Sequence, residues 1–429
     1  MKKSITFSTG KFKVEKTSAW LVSFLKFTEQ ITGFEQLKTV KVKMKQIRYT
    51  VQQKLITLIC SIAIGCAYTS DINDKLVPET VAPRMLDMLR FPDQSQINVL
   101  LQRFTEENIV QLKEVHHQLF MENSQSLSTF ENEIVDVDQT GLLANSKNFE
   151  CAAKGYFPRK RGKQGYQLSA AFCSSTGETV TMYLDPGNTN SIKRLNDMLE
   201  DIVLKYTETI TNNRLILRAD SGYGSDDGIK MLKSTKAKFV VKGYSSERAR
   251  KLAASVKRDD WEEIDECVDV CELPPQGDLR ITLVRILEKD GVKYTYLASN
   301  ISRIDMSARD LFHFYNGRQT IEAFIKTCKN TYGIKNLRTK RFLGIYGFLW
   351  LVFITHNLIS TMKATVFAET EFGELGVNTI VRKFGSITAE VIETDTHIEV
   401  KLPSLSKLAQ LFVEALKPKY IQLAIPLPT

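Results

Sequence analysis

Three acidic side chains in this 429-residue chain stand where phosphoryl chemistry could use them. Asp138 closes a short β-like run, Ile134-Val135-Asp136-Val137-Asp138, just before Gln139-Thr140-Gly141. Asp220 closes a second run, RLILRAD (214–220), and Glu322 lies inside a helical stretch. An Asp at a strand's end holds its carboxylate at the sheet rim, and a Glu from a covering helix can join two such groups. Hard oxygens of this kind suit Mg2+, which keeps several waters and accepts a few carboxylates plus substrate phosphate oxygens. Two such ions about 3.5–4 Å apart activate the attacking oxygen and stabilise the leaving one in phosphodiester cleavage. Taken singly, each acid reads better as an ordinary residue at an element's end. Asp136 shares a face with Asp138 by strand alternation, so both are candidates for the first ligand.

The helical stretch around Glu322 adds weight. It holds Tyr315, Arg318, Glu322 and Lys329, a Y-x2-R-x3-E-x6-K spacing. On one continuous helix these four share an arc of roughly 60°. Phe314, Ile321, Phe324, Ile325 and Cys328 form the adjacent apolar stripe. One edge of the helix is therefore expected to pack, while the next presents an acid, two bases and a phenol. An i,i+4 surface pair accounts for Arg318 and Glu322 alone. It leaves Tyr315 and Lys329 on the same line unexplained.

With VDVDQT (135–140), LRADSGYG (217–224) and YNGRQTIEAFIKTCK (315–329), the chain resembles the DDE transposases of bacterial insertion sequences, in the branch with a Y-R-E-K signature. YLDPGNTNS (183–191) resembles that family's Pro-Gly-Asn stretch. The resemblance implies a ribonuclease-H-like core, with Asp138, Asp220 and Glu322 as the catalytic, metal-binding triad. It implies that Tyr315, Arg318 and Lys329 hold the DNA backbone. It favours Asp138 over Asp136, because D-x-T at the strand end is the family's form. It further implies two Mg2+ ions, replaceable by Mn2+, and a homodimer when element ends are paired.

These residues must be positioned by an α/β architecture: a mixed sheet flanked by helices, an inserted antiparallel β unit and an N-terminal helical DNA-binding region. The expected divisions are 1–128 for the helical region, 129–243 with 301–362 for the catalytic core, 244–300 for the β insertion, and 363–429 for a C-terminal region of unread role. Strands are expected at 134–138, 167–175, 179–187, 214–220 and 238–243, with helices at 191–206 and 225–234 and one long helix from 307 to 330. Between Asp220 and Glu322 there is room for the insertion.

Charge points to a polyanionic partner. Residues 1–54 hold twelve Lys/Arg against three acids, an excess equal to the whole formal net charge of +9. Within 79–120 the pattern breaks at Pro92, with Asp93 or Ser95 able to cap a second helix, which is compatible with a helix-turn-helix. The loop with Lys154, Arg159, Lys160, Arg161 and Lys163, interleaved with Tyr156, Phe157 and Tyr166, suits a distorted DNA end. The seven scattered cysteines read as reduced thiols, and the C-x3-C pair Cys267/Cys271 has no second pair to complete a zinc site. The uncharged stretch 342–362 is interrupted by Thr355, His356 and Asn357 and reads as a buried core helix rather than a membrane span. The N-terminus lacks a signal peptide's apolar run. The expectation is a cytoplasmic, nucleoid-associated bacterial transposase that cuts transposon terminal inverted repeats and joins them to target DNA. Its alternatives are a stand-alone ribonuclease-H-like nuclease and an inactive DNA-binding regulator.

Overall fold

A computed structural model describes residues 4–10, 17–45, 48–158, 160, 162–275, 277–289, 291–385, 387–393 and 397–420. The chain divides into two compact units. One comprises residues 1–125, 148–150 and 326–429, the other 126–147 and 151–325.

The first unit opens with β1 (Ser4–Gly10) and β2 (Thr17–Ser18), so the N-terminal region is not wholly helical. Then come α1 (Ala19–Thr28), α2 (Val51–Ala63), α3 (Asp71–Lys75), α4 (Gln94–Gln102) and α5 (Glu106–Asn123), and α6 (Gln125–Ser128) leads into the second unit. Side chains start the longer helices. Thr50 and Gln53 form a reciprocal capping box on α2, Thr105 and Asn108 do so on α5, and Asp93 accepts from Gln96 N on α4. Residues 79–91 do not form the first helix of a pair. They carry only a 3-10 turn at Arg84–Leu86, which Asp87 ends in a left-handed conformation (φ 54°). The tight interhelical junction lies instead at 103–105, between α4 and α5.

The second unit holds β3 (Glu133–Leu143), β4 (Ala153–Lys154), β5 (Gln164–Cys173), β6 (Glu178–Pro186), α7 (Leu195–Lys205), α8 (Thr207–Thr211) and β7 (Leu215–Ala219). It continues with α9 (Asp226–Ser234), β8 (Lys238–Lys242), α10 (Ser246–Ala253), β9 (Glu262–Asp265), β10 (Val268–Glu272), β11 (Arg280–Glu288) and β12 (Gly291–Ser299). Strand pairing gives the order β6-β5-β3-β7-β8, with β3, β7 and β8 parallel and β5 antiparallel. The interior strands LILRA and KFVVK are near-continuous apolar runs, as strands covered on both faces require. β3 is longer than expected. It runs to Leu143 because β5 stays paired with it to the end, whereas its parallel neighbour β7 stops at Ala219 opposite Val137. Asp138 is therefore a mid-strand residue, placed where that neighbour gives out. The β insertion does not stand apart from the core sheet: β12 pairs antiparallel with β8, and β11, β10 and β9 extend the same sheet.

The expected long helix is two helices, α11 (Ala308–Asn316) and α12 (Gln319–Asn330), with Gly317 and Arg318 between them. Gly317 N donates to His313 O and Phe314 O, and Arg318 N to Tyr315 O, so the ladder tightens at the break. The single-arc geometry for Tyr315 and Glu322 fails at this point. Phe324 of α12 stacks on Phe172 of β5, with ring centroids 4.5 Å apart. Leu311 joins Ile216, Val240, Val270, Val284, Leu297 and Ile301 in a core cluster, with Phe314 and Tyr315 packed against it.

The chain then returns to the first unit with α13 (Phe342–Val366), α14 (Val377–Phe384), β13 (Thr388–Glu393), β14 (His397–Pro403) and α15 (Lys407–Tyr420). β14 pairs parallel with β1 and antiparallel with β13, which also meets β2. α13 is long and apolar enough to cross a membrane, but the apolar part of it is 78% buried, packed on α2, α4 and α5. Helices α1, α2, α4 and α5 thus share one core with α13.

Candidate active site

The site grows from the row of residues where β7 and β8 end. Val137 pairs with Ala219, and Ala219 with Val241. One step on, Asp138, Asp220 and Lys242 stand level on three neighbouring parallel strands. Asp220 follows the last residue of β7 and accepts from Gly222 N at 2.9 Å, capping the short turn Ser221–Tyr223. Gln139 N donates to Asp138 Oδ1 at 2.8 Å. Arg318 enters from the α11–α12 break. Its Nη2 lies 2.9 Å from Asp138 Oδ1, and its Nη1 lies 3.2 Å from Glu322 Oε1.

Burial decides the electrostatics. The Asp138 side chain is 13% exposed. Its carboxyl is pushed up to about 6 by burial, against the pull of Arg318, with Asp220 and Glu322 adding to the rise. Burial alone would lower Arg318, yet Asp138 and Asp220 hold its guanidinium above its usual range. Burial lowers Lys242, with Lys293 and Arg318 adding to the effect and Asp220 opposing it. Tyr315 is half-buried, and its phenol is raised by burial, opposed by Arg318. Lys329 lies half-buried in the last turn of α12, beyond the point where that helix passes into the other unit.

Asp136 has a different occupation. It is fully buried, receives Arg218 Nε at 2.7 Å and Nη2 at 2.9 Å, and accepts from Ser174 Oγ. Arg218 Nη1 also donates to Phe314 O at 2.7 Å, tying two strands to the end of α11. A Cβ on Gly317 would stand 2.7 Å from that Nη1. The sequence reading missed Arg218, Ser174 and Lys242. The available signal was a charged residue inside the buried run LRAD, which register places directly opposite Asp136.

In the basic loop, Phe157 and Tyr166 are core residues rather than stacking platforms. Each is at most 5% exposed, and Phe157 fills the space beside Gly141 that a Cβ would take. Tyr156 is 83% exposed. Arg159 and Arg161 lie outside the described residues.

Among the described residues, no three His, Cys, Asp or Glu side chains converge closely enough to hold one metal ion. Glu322 is 63% exposed and reaches Asp138 only through Arg318. The donor set nevertheless fits a divalent cation in kind. The oxygens are hard, and a guanidinium already lodges between two of the acids and feels the third.

A five-strand order of this kind, with the second strand antiparallel, one acid partway along the first where its parallel neighbour stops and another just past the end of the fourth, is ribonuclease-H-like. The model of the family described as transposase DDE domain group 1 matches residues 23–422, and the chain belongs to that family. It is a transposase, acting in DNA transposition. The fold is similar to that of the piggyBac transposase in a synaptic complex with hairpin DNA, with 14% identity and a TM-score of 0.50 over 87% of this chain and 80% of that one. A Ciona intestinalis endonuclease V bound to an inosine-containing DNA aligns over 51% of this chain and 99% of that one, at 8% identity and a TM-score of 0.20. No curated protein matches the chain in sequence.

Proposed function

We propose that Asp138, Asp220 and Glu322 are the catalytic triad of this transposase, that they hold Mg2+ or in its place Mn2+, and that the site both cuts element ends and joins them to target DNA. The observation that carries this reading is the level placement of Asp138 and Asp220 on adjacent parallel strands, with Arg318 fastening the helix of Glu322 to Asp138. Bound there, the cations supply Lewis-acid charge to the phosphodiester. The chain's own groups position the substrate. Arg318 Nε is buried without a hydrogen-bond partner, a donor suited to a phosphate oxygen. Lys242 adds positive charge beside Asp220. Tyr315 and Lys329 are assigned to the DNA backbone from the Y-R-E-K resemblance. Water is the first nucleophile and the freed 3′-hydroxyl the second, since cleavage and joining are both in-line phosphoryl transfers. On this reading the protein works as a homodimer on the paired inverted repeats of a bacterial insertion sequence, in the cytoplasm with the nucleoid.

The test is Asp138→Asn, Asp220→Asn and Glu322→Gln, assayed for Mg2+-dependent cleavage and for binding of an end duplex. Each is expected to abolish cleavage and retain binding. Normal cleavage by any one of them removes that residue from the triad, and cleavage without any strand transfer would make the enzyme a nuclease only.

A further inference from the structure

Helix α4 of the first unit has three kinds of surface. Ile97, Leu100 and Leu101 are fully buried and form its inner face. Ser95, Val99 and Gln102 are exposed on the outer face, within an arc of roughly 60°. On either flank lies a cleft whose charged lining is basic.

The first cleft, of about 790 Å³, lies on the side of Gln94 and Asn98 and is lined by Arg103, Arg338, Lys340 and Arg341. Arg341 is paired with Glu150 at 3.4 Å. Arg338 is only 9% exposed. It sits over the Phe348 ring at 4.3 Å and donates to Cys66 O, while its Nε is buried without a hydrogen-bond partner. Asn98 Oδ1 is likewise buried and unpartnered. The second cleft, of about 580 Å³, lies on the side of Gln96 and Arg103 and is lined by Lys43, Lys45, Arg48 and Lys54. Lys54 is 1% exposed, and among the described residues its ammonium reaches a thioether, Met44 Sδ at 3.9 Å. Burial lowers its pKa.

An ammonium whose partner among the described residues is a sulfur, and a buried guanidinium with an idle N–H, are costly unless an anion completes them. Each opens on a cleft with no acidic lining residue among the described residues, and Arg103 lines both clefts. The outer face between them carries short polar and apolar side chains of the sort that read base edges. The major groove of DNA is about 12 Å wide and admits a helix of about 10 Å diameter, with a phosphate strand on either side.

We propose that α4 lies in the major groove of duplex DNA, with Val99 and Gln102 toward the bases and the two flanking phosphodiester strands seated in the Lys54 and Arg338 clefts. This deepens the transposase reading by assigning the element that recognises its DNA. It makes α4, the first helix of the α4–α5 pair, the recognition helix. Behind it the packing is close: Gly344 and Gly347 of α13 let Leu101 O and the Phe104 ring approach where a Cβ would clash or crowd.

The test uses full-length protein and two labelled duplexes, one carrying the DNA that flanks the gene and one with that sequence scrambled, titrated at several salt concentrations. Arg103→Ala and Lys340→Ala, both exposed positions, are expected to weaken both duplexes alike, and each to reduce the slope of log affinity on log salt by about 0.9. The Val99→Ala/Gln102→Ala double variant is expected to keep the slope and lose roughly tenfold of the preference for the flanking duplex. Lys54→Met keeps the volume without the charge, so its melting temperature is expected to hold or rise while DNA binding weakens. Unchanged slopes in the two exposed variants, wild-type binding by Lys54→Met, or a preference for single strands over duplex overturns the proposal. Asp138→Asn run in parallel keeps the two readings apart, because loss of the catalytic assignment shows in cleavage and leaves the binding slopes as they are.

Discussion

One residue, Val137, separates Asp136 from Asp138 on β3, and the surroundings of the two carboxylates differ. Asp136 is saturated by Arg218 and Ser174 in the sheet interior, whereas Asp138 stands where β7 ends and shares Arg318 with Glu322. Asp138 is held at about 6 against an ordinary 3.8. The folded state therefore keeps its proton longer than the unfolded chain does. Stability from this group is full below 3.8 and is lost as pH rises through about 6. In chelator, wild-type protein should lose about 1 kcal/mol more than Asp138→Asn between pH 5 and pH 7. Urea denaturation of both proteins at the two pH values measures it, and equal losses would refute it. Arg318→Ala strips the cation from a buried carboxylate, and the expected cost is about 1–3 kcal/mol of stability together with loss of cleavage. A solvated surface pair would cost below about 1 kcal/mol and leave cleavage near normal. Melting temperature and cleavage rate on the same variant separate the two.

At the scale of elements, the junctions set the geometry of the candidate site. The α11–α12 break sets the direction of Arg318 and the helix of Glu322, and it is held by Arg218 reaching Phe314 O past a glycine. Gly317→Ala would press a methyl onto a guanidinium already fixed by Asp136. It should destabilise by about 1–3 kcal/mol and depress cleavage, although residue 317 is none of the three acids of the proposed triad. Gly344 does the equivalent work in the first unit, since a Cβ there would stand 2.1 Å from Leu101 O. Gly344→Ala should cost about 1–3 kcal/mol by denaturation and weaken DNA binding through α4. Near-wild-type stability in either variant would mean that the junction relaxes at little cost.

For the whole molecule, the consequence of the unit division is that the N-terminal region cannot be detached. α2, α4 and α5 cover α13, and β1 is the parallel partner of β14. Deleting residues 1–128 should therefore expose a 25-residue helix, with a mean hydropathy of 1.7 over its most apolar 18 residues, and give insoluble protein, rather than a folded core lacking recognition. A monodisperse, folded 129–429 fragment would contradict this. The basic excess over residues 1–54, which includes Lys43, Lys45, Arg48 and Lys54 of one α4 cleft, ties the net charge of +9 to a surface with a shape.

By itself the sequence determined the periodic elements: the alternating strands of the core, the continuous apolar runs of β7 and β8, a capped start of α4 at Asp93 or Ser95, and the burial of α13. These follow from which face of an element is apolar, and that is written locally. It also determined the family, through motifs around Asp138, Asp220 and Glu322. Only the tertiary structure decided partners. The pairing of Asp136 with Arg218 spans 82 residues and depends on strand register. The level row of Asp138, Asp220 and Lys242 depends on where two neighbouring strands stop. The helix break at Gly317 runs against a regular i,i+3/i+4 pattern, because a long-range guanidinium captures a carbonyl that the helix would otherwise use. The β insertion looked separable because its alternation resembles any antiparallel unit, and nothing local marks β12 as the strand that will pair with β8. Periodicity states that a face must be covered. Which surface covers it is settled by register and shape complementarity between segments far apart in the chain.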